Sequence, residues 1–221
     1  MAARLVCIVF LIVFAWGLQA GTFTDTFSLP NGSLPSLWAN ESGSWSVHNG
    51  TYDAGAGTPS PNAHSLLPWT LTNFTVDLDT TTVGDGGVWL RATDAPGTSV
   101  GVAGILFVFR GGDMYFHDVT DGSGYGGMLG SVGHSSGAHH ITITVSGNVY
   151  SVSIDGGAGT TSYTSSTFTS GRVGLYDYIP LGFDNFNLRG DGVSQIPEPG
   201  TAVGLLLGSG ALLLAKRQRR A

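Results

Sequence analysis

Cysteine is almost absent from this sequence. Among 221 residues the one cysteine is Cys7, which lies in an apolar run near the N-terminus and lacks the preceding small residues of a bacterial lipobox. The chain beyond that run cannot form a disulfide bond within itself, so its folded part depends on a hydrophobic core for stability.

Charged residues are also scarce, at 11% of the chain against a usual ~25%. Between residues 21 and 196, fourteen carboxyl groups are opposed by only four cations, Arg91, Arg110, Arg172 and Arg189. A chain with this balance cannot neutralise a run of phosphates, which argues against nucleic acid as a partner.

The sequence also lacks helical periodicity. No window of helix length between residues 21 and 190 has apolar residues at helical spacing. Glycine, which weakens helices, is abundant instead, with 35 residues. The chain is still 42% hydrophobic and 10% aromatic, enough to build a core and to exclude a disordered chain. These features predict one all-β domain with flanking segments.

Residues 1–20 have the layout of a secretory signal peptide. Arg4 supplies the positive charge, Leu5–Trp16 is an apolar run too short to span a bilayer comfortably, and Ala20 is a small residue suited to cleavage before Gly21. An uncleaved N-terminal anchor is the alternative.

The C-terminus has three parts. A linker at residues 191–199 ends in Pro197-Glu198-Pro199, which is stiff and extended because each proline fixes its own φ. Residues 200–215 are uncharged and mostly apolar, which predicts a transmembrane helix. The basic tail at residues 216–221 then stays cytoplasmic.

This order of segments resembles the PEP-CTERM sorting signal of bacteria that make exopolysaccharide, with Pro197, Glu198 and Pro199 as the motif. The resemblance implies an exosortase, a membrane-embedded cysteine protease, as a partner. It also implies an inner-membrane precursor that ends at the cell surface or outside the cell. A plain tail anchor is the alternative.

Three hairpins with two-residue turns are the strongest structural signal, at Asn49-Gly50, Gly111-Gly112 and Gly147-Asn148. Residues that face each other across these turns are apolar in every case. The pairs are Trp45 with Ala54, Val47 with Tyr52, Phe107 with Phe116, Phe109 with Met114, Ile141 with Ile154, Ile143 with Val152 and Val145 with Tyr150. A one-residue slip would scatter them over both faces, so the pattern predicts an antiparallel sheet with one buried face.

Further alternating runs predict strands at Thr22–Phe27, Asn73–Thr80, Gly87–Arg91, Arg172–Tyr176 and Phe183–Leu188. So many strands between residues 21 and 190 indicate two packed antiparallel sheets, a sandwich of jelly-roll type. The segment Gly156–Ser170 is rich in glycine, serine and threonine and is predicted to be a loop.

Four short motifs lie at intervals along this domain. They are Phe23-Thr-Asp-Thr-Phe27 with Trp38, Trp45-Ser-Val-His-Asn-Gly50, Gly87-Val-Trp-Leu-Arg91, and Gly171-Arg-Val-Gly-Leu-Tyr176 leading to Phe183-Asp-Asn-Phe186. Together they resemble the concanavalin-like lectin/glucanase sandwiches, in particular laminin G-like domains and the 3-keto-disaccharide hydrolase domain. The resemblance implies a fold that hosts many functions, so function has to be argued from a site.

Paired catalytic carboxylates are missing from the obvious places. Glycoside hydrolysis needs two carboxyl groups at a defined separation, and Glu41 is the only glutamate of the domain. Asp77 and Asp79 share a strand face and form the one regular pair, although solvated outward residues show the same pattern. The sequence therefore favours a protein without catalysis and predicts no catalytic residue.

The outer face of the hairpin at Gly111-Gly112 is the candidate ligand site. Alternation places Arg110, Tyr115 and His117 on one side of it, and Trp89 and Arg91 are expected to join them from the neighbouring strand. Sugars bind to such surfaces by stacking on rings and by hydrogen bonding to arginine and histidine. The alternative is that loops cover this face and these residues are packing.

No cofactor is predicted, with calcium as an open alternative. Asp113, Asp118 and Asp121 are close in sequence, beside Gly122 and Gly124, and hard oxygen ligands of this kind suit Ca²⁺. Histidine spacing predicts no metal site.

Three functions remain in competition at this point. The first is an exported, exosortase-sorted surface or matrix protein whose sandwich binds polysaccharide without catalysis. The second is a glycan-degrading hydrolase of the same fold, and the third is a structural matrix protein without a ligand.

Overall fold

The computed structural model describes residues 20–55, 63–82, 84–179 and 181–194. The predicted signal peptide, Pro-Glu-Pro motif and C-terminal helix lie outside the described residues. Within those ranges no helix has the length and hydropathy needed to cross a membrane.

The secondary structure of the described residues consists of fifteen strands without an α-helix. The strands are β1 (Gly21–Asp25), β2 (Ala39–Ser42), β3 (Ser46–His48), β4 (Thr51–Asp53), β5 (Ala63–Leu66), β6 (Phe74–Thr80), β7 (Asp85–Asp94), β8 (Val102–Arg110), β9 (Asp113–Val119), β10 (Leu129–Gly133), β11 (His139–Ser146), β12 (Val149–Ile154), β13 (Gly159–Thr164), β14 (Arg172–Ile179) and β15 (Phe183–Gly190).

The strands form two antiparallel sheets. Sheet A has the order β13-β12-β11-β6-β15-β4-β3, with β1 also paired to β15, and sheet B has the order β10-β9-β8-β7-β14-β5-β2. This confirms the predicted all-β fold with two antiparallel sheets packed as a sandwich.

The hairpin registers predicted from apolar pairing are present. Val47 lies opposite Tyr52, Phe107 lies opposite Phe116, and the second hairpin of sheet A pairs Ile141 with Ile154. The other pairs inside these strands, Phe109 with Met114, Ile143 with Val152 and Val145 with Tyr150, are present as well. Cross-strand apolar contact thus set the register of both sheets, as expected where one face is buried.

The prediction that Gly156–Ser170 is a loop is wrong in its central part. Residues Gly159–Thr164 form β13, which pairs along its whole length with β12. Its side chains alternate between half-buried and exposed, and Tyr163 packs against the core. Threonine favours strands, and backbone pairing with β12 gives this polar edge strand the support that composition alone does not reveal.

The two sheets differ in how they are covered. The main core between them is built from alternate residues such as Val76 and Ile143 of sheet A and Val88 and Phe107 of sheet B. Strand β6 alternates strictly between buried and half-buried positions, whereas β8 is buried from Val102 to Phe109. Sheet B therefore has a second apolar cluster on its outer face, and this face carries the candidate site.

Candidate functional site

The floor of the candidate site is formed by the β8–β9 hairpin. Val108 lies opposite Tyr115, and Leu106 lies opposite His117. Facing residues of an antiparallel pair point to the same side, so these side chains share the outer face of sheet B. Arg110 follows at the end of β8, on the same side by alternation.

The walls come from three other parts of the chain. Tyr176 and Tyr178 project from β14, Asp85 begins β7, and the connection between β9 and β10 supplies Tyr125 and Met128. Together with the hairpin they enclose a cavity of about 360 Å³, which we call the groove. Its lining residues are Asp85, Leu106, Val108, Arg110, Tyr115, His117, Tyr125, Met128, Tyr176 and Tyr178.

A cation and a carboxylate meet at the mouth of the groove. Arg110 Nε lies 3.8 Å from Asp85 Oδ2, with the arginine side chain 64% exposed. A hydrogen bond to the Tyr115 hydroxyl and the Asp85 charge both raise the pKa of Arg110. Burial raises the pKa of Asp85, although the charges of Arg110 and His117 act in the opposite direction. The pair thus offers donors from Arg110 and acceptors from Asp85 to a ligand.

His117 is held between two aromatic rings. Its ring centroid lies 5.0 Å from Tyr115 and 5.6 Å from Tyr125, and Nδ1 donates to the Gly127 carbonyl at 3.1 Å. Burial lowers the pKa of His117, which favours the neutral ring. His117 therefore fastens the β9–β10 connection, which carries one wall of the groove, to the floor.

The tyrosines give the groove a hydroxyl-bearing apolar surface. The Tyr125 and Tyr176 rings lie 6.0 Å apart and their hydroxyls are hydrogen bonded to each other. Burial raises the pKa of Tyr125 to about 12 and also raises that of Tyr176, so both phenols stay neutral at physiological pH. Tyr178, at 40% exposure, and Met128, at 64%, leave apolar surface open to solvent at the rim.

Trp89 lies beneath this surface. Its side chain is 1% exposed, packs in the outer-face cluster and meets the Tyr176 ring edge-on at 6.5 Å. Its indole Nε1 has no hydrogen-bond partner among the described residues. The predicted face is therefore correct for Trp89, but in this structure the residue supports the floor and does not line the groove.

The expectation that Arg91 shares this face is wrong. The register of β7 against β8 shifts between Leu90 and Thr93, and Arg91 has a φ of 52°, which marks a β-bulge that redirects its side chain. Its guanidinium is 1% exposed and lies 5.3 Å from the centre of the Tyr150 ring, a residue of the core between the sheets.

All five N–H groups of Arg91 are occupied by the protein. Nε and Nη2 donate to the Thr72 carbonyl, Nη2 also donates to the Gly147 carbonyl, and Nη1 donates to the Phe168 carbonyl and the Tyr150 hydroxyl. Gly171 permits this arrangement, since a Cβ there would lie 2.3 Å from the Arg91 carbonyl carbon. Arg91 thus joins three connecting segments of the domain.

The Asp77 and Asp79 pair lies on the other sheet and is engaged in contacts within it. Asp77 accepts hydrogen bonds from Thr142 and Arg189, and Asp79 is bonded to His140 and Asn185. These contacts match the reading of the two residues as outward-facing groups on the surface of sheet A.

The predicted calcium ligands are not gathered into one site. Asp118 Oδ2 accepts from Tyr163, Ser165 and Thr167, whereas Asp121 accepts from its neighbour Ser123. Asp113 is exposed at the hairpin turn. Across the described ranges no group of three or more histidine, cysteine, aspartate or glutamate residues is arranged to hold a metal ion, and these three aspartates do not form such a cluster.

Sequence reasoning identified the floor of the groove but missed its walls. The alternation along β14 could have placed Tyr176 and Tyr178 on one face of the sheet from the sequence alone. Asp85 precedes the predicted strand at Gly87–Arg91, and Tyr125 and Met128 lie in a glycine-rich connection without periodicity. Nothing in the local sequence indicates where such a connection folds back.

Similar folds occur in several solved structures. The carbohydrate binding module CBM66 from Bacillus subtilis superposes with a TM-score of 0.57 at 15% identity, covering 68% of this chain and 94% of that one. The exoplasmic/lumenal domain of VIP36 in its Ca²⁺/Man3GlcNAc-bound form gives a TM-score of 0.52 at 12% identity, with 75% and 87% covered. The Crh5 transglycosylase in complex with NAG gives 0.51 at 15% identity, with 80% and 86% covered.

These likenesses show that the chain shares the β-sandwich fold of these proteins. No protein-family profile matches the sequence, and no curated protein matches it.

Proposed function

We propose that this protein binds carbohydrate in the groove on the outer face of sheet B, without catalysis. The observation that carries the proposal is the groove itself. Four tyrosines and a methionine line it beside the Arg110–Asp85 pair. Proteins of similar fold include a carbohydrate binding module and the exoplasmic/lumenal domain of VIP36 in its Ca²⁺/Man3GlcNAc-bound form.

The groove matches both chemical sides of a sugar ring. The C–H faces of a sugar are apolar and pack on exposed aromatic surface such as that of Tyr178. The sugar hydroxyls need both hydrogen-bond donors and acceptors. Arg110 supplies donors, Asp85 supplies acceptors, and the neutral phenols of Tyr125 and Tyr176 supply either.

Binding without catalysis is supported by the arrangement of carboxyl groups. Asp85 is the single carboxylate among the described residues that line the groove, and glycoside hydrolysis in most families uses two. The rival hydrolase hypothesis predicts release of reducing sugar from the bound glycan. The rival structural hypothesis predicts no binding at all.

The test is a pair of substitutions at Tyr178 assayed on an immobilised glycan panel of glucans, mannans, fructans and xylans. Tyr178→Ala removes one exposed ring and should weaken binding by about 1 kcal/mol, roughly fivefold. Tyr178→Phe keeps the ring and should bind like the wild type. Equal binding of all three proteins, or no binding by the wild type, would exclude the groove as the site.

We further propose that the protein is exported and sorted at the membrane. The support is the order of segments in the sequence: a predicted signal peptide at 1–20, Pro197-Glu198-Pro199, an apolar stretch at 200–215 and a basic tail at 216–221. Exosortase-type cleavage near the Pro-Glu-Pro motif would release the domain from an inner-membrane precursor to the cell surface or the surrounding matrix, where polysaccharide is available.

A further inference from the structure

A second and larger concave surface lies on the same face of sheet B. It has a volume of about 640 Å³, and we call it the depression. Strands β2, β5 and β7 and the connection after β7 supply its lining, which includes Glu41, His64 and Asp94.

Strand register places the depression directly beside the groove. Tyr176 of β14 lines the groove and lies opposite His64 of β5, which lines the depression. Facing residues of an antiparallel pair point to the same side of the sheet, and neighbouring strands lie about 4.8 Å apart. The two cavities therefore approach each other at Tyr176 and His64, while Asp85 of the groove and Asp94 of the depression lie at opposite ends of β7.

An ion-paired network forms the polar side of the depression. The Arg172 guanidinium contacts Glu41 through both of its terminal nitrogens, at 2.5 and 3.3 Å, and also contacts Asp94. His64 Nε2 lies 3.7 Å from Glu41 Oε2, with its side chain 8% exposed. Mutual contacts hold these planar groups in fixed orientations, while the Asp94 side chain remains 67% exposed at the rim.

The same chemistry therefore occurs in both cavities. Each is lined by carboxylates that are paired with an arginine, Asp85 with Arg110 in the groove, and Glu41 and Asp94 of the depression with Arg172, whose side chain is 19% exposed. The other two arginines of the described domain are used elsewhere. Arg91 is bonded internally, and Arg189 is paired with Asp77 on sheet A.

We propose that the depression is a second sugar-binding subsite, and that sheet B binds the interior of an extended polysaccharide chain and not only a terminal sugar. This inference rests on the proposed function of the groove. A chain that reaches both cavities runs diagonally over the strands from β9 to β2, where the five strand spacings alone amount to about 24 Å. Tyrosine stacking dominates at the groove, and carboxylate–guanidinium hydrogen bonds to hydroxyls dominate at the depression.

The experiment measures chain-length dependence with the purified full-length protein. Disaccharides and hexasaccharides prepared from each polysaccharide of the panel are titrated by calorimetry. The wild type should bind the hexasaccharide more tightly than the disaccharide. Asp94→Asn, at an exposed residue, should weaken hexasaccharide binding by about five- to tenfold and leave disaccharide binding unchanged.

Two control variants separate the outcomes. Tyr178→Ala should weaken binding of both lengths, because the groove serves short and long ligands alike. Asp191→Asn makes the same charge change at an exposed residue of the turn after β15 and should leave both affinities unchanged.

If Tyr178→Ala weakens binding while Asp94→Asn does not, the groove binds sugar but the depression is not a subsite. A wild type whose affinity does not rise with chain length would overturn the inference in the same way. If the wild type binds no oligosaccharide of either length, the proposed function itself fails, and this inference fails with it.

Discussion

Asp177 is a buried carboxyl group whose titration should shape the stability of the domain. It lies on β14 at 2% exposure, and its Oδ2 accepts hydrogen bonds from the amides of Ala54 and Leu181. Its Oδ1 has no partner among the described residues. Burial raises the pKa of Asp177 to about 7, and the nearby charges of Asp53 and Asp85 act in the same direction.

The sign of the effect follows from comparing the folded and unfolded states. Below pH 3.8, the ordinary pKa, the carboxyl group is protonated in both states. Between about pH 4 and 7 the folded state keeps the proton that the unfolded state has lost, so the free energy of unfolding falls as pH rises. The difference between 3.8 and about 7, at about 1.4 kcal/mol per pH unit, gives an upper value of about 4 kcal/mol.

The substitution Asp177→Asn isolates this contribution. The amide oxygen can still accept from Ala54 and Leu181, but the side chain no longer titrates. Relative to the wild type, the variant should become steadily more stable between pH 4 and 8, by up to about 4 kcal/mol, or about 10 °C in midpoint. Urea unfolding followed by tryptophan fluorescence across this range measures the difference.

The matched control for this experiment is Asp191→Asn, an exposed aspartate in the turn after β15. Its stability profile should run parallel to that of the wild type. A constant difference between the wild type and Asp177→Asn from pH 4 to 8 would show that Asp177 is ionised in the folded protein over the whole range and would refute the reasoning.

Two further predictions concern Arg91 and the C-terminal motif. Arg91→Met should lower the free energy of unfolding by about 3 kcal/mol or more, because it leaves several buried acceptors unpaired. Calorimetry should show glycan affinity unchanged at a temperature where the variant is folded, and a selective loss of affinity would return Arg91 to the binding site. Replacing Pro197, Glu198 and Pro199 with alanine should leave the precursor uncut in the inner membrane, visible as a heavier band on a blot. Equal processing of both proteins would identify the segment as an ordinary tail anchor.

Local pairing is the part of this fold that the sequence specifies most directly. Turns such as Asn49-Gly50 and Gly147-Asn148 set the hairpins, and the apolar pairs across them admit a single register. Strand β13 was not predicted because half-buried and exposed residues alternate along it and the residues on both faces are mostly polar. Such a strand shows no alternation of apolar and polar residues in its sequence. Its pairing depends on β12 and not on a periodic signal of its own.

The candidate site likewise contains residues whose placement local pairing predicts and one whose placement it does not. Arg110, Tyr115 and His117 belong to a hairpin with fixed register, so alternation alone places them together. Arg91 also belongs to a predicted strand, yet the bulge at its position reverses its direction. A bulge depends on the neighbouring strands and on the close approach of Gly171, and neither is readable from the local pattern of residues 87–91.

The outer faces of the two sheets explain why a ligand is expected on one of them. On sheet A, Asp77 is bonded to Thr142 and Arg189, and Asp79 to His140 and Asn185, so these polar groups are engaged with one another across the strands. The outer face of sheet B instead carries exposed apolar surface at Tyr178 together with fixed ion pairs at the mouths of two concave surfaces. A sugar chain gains stacking and directional hydrogen bonds only where both are offered together, and in the described part of the domain sheet B offers them side by side.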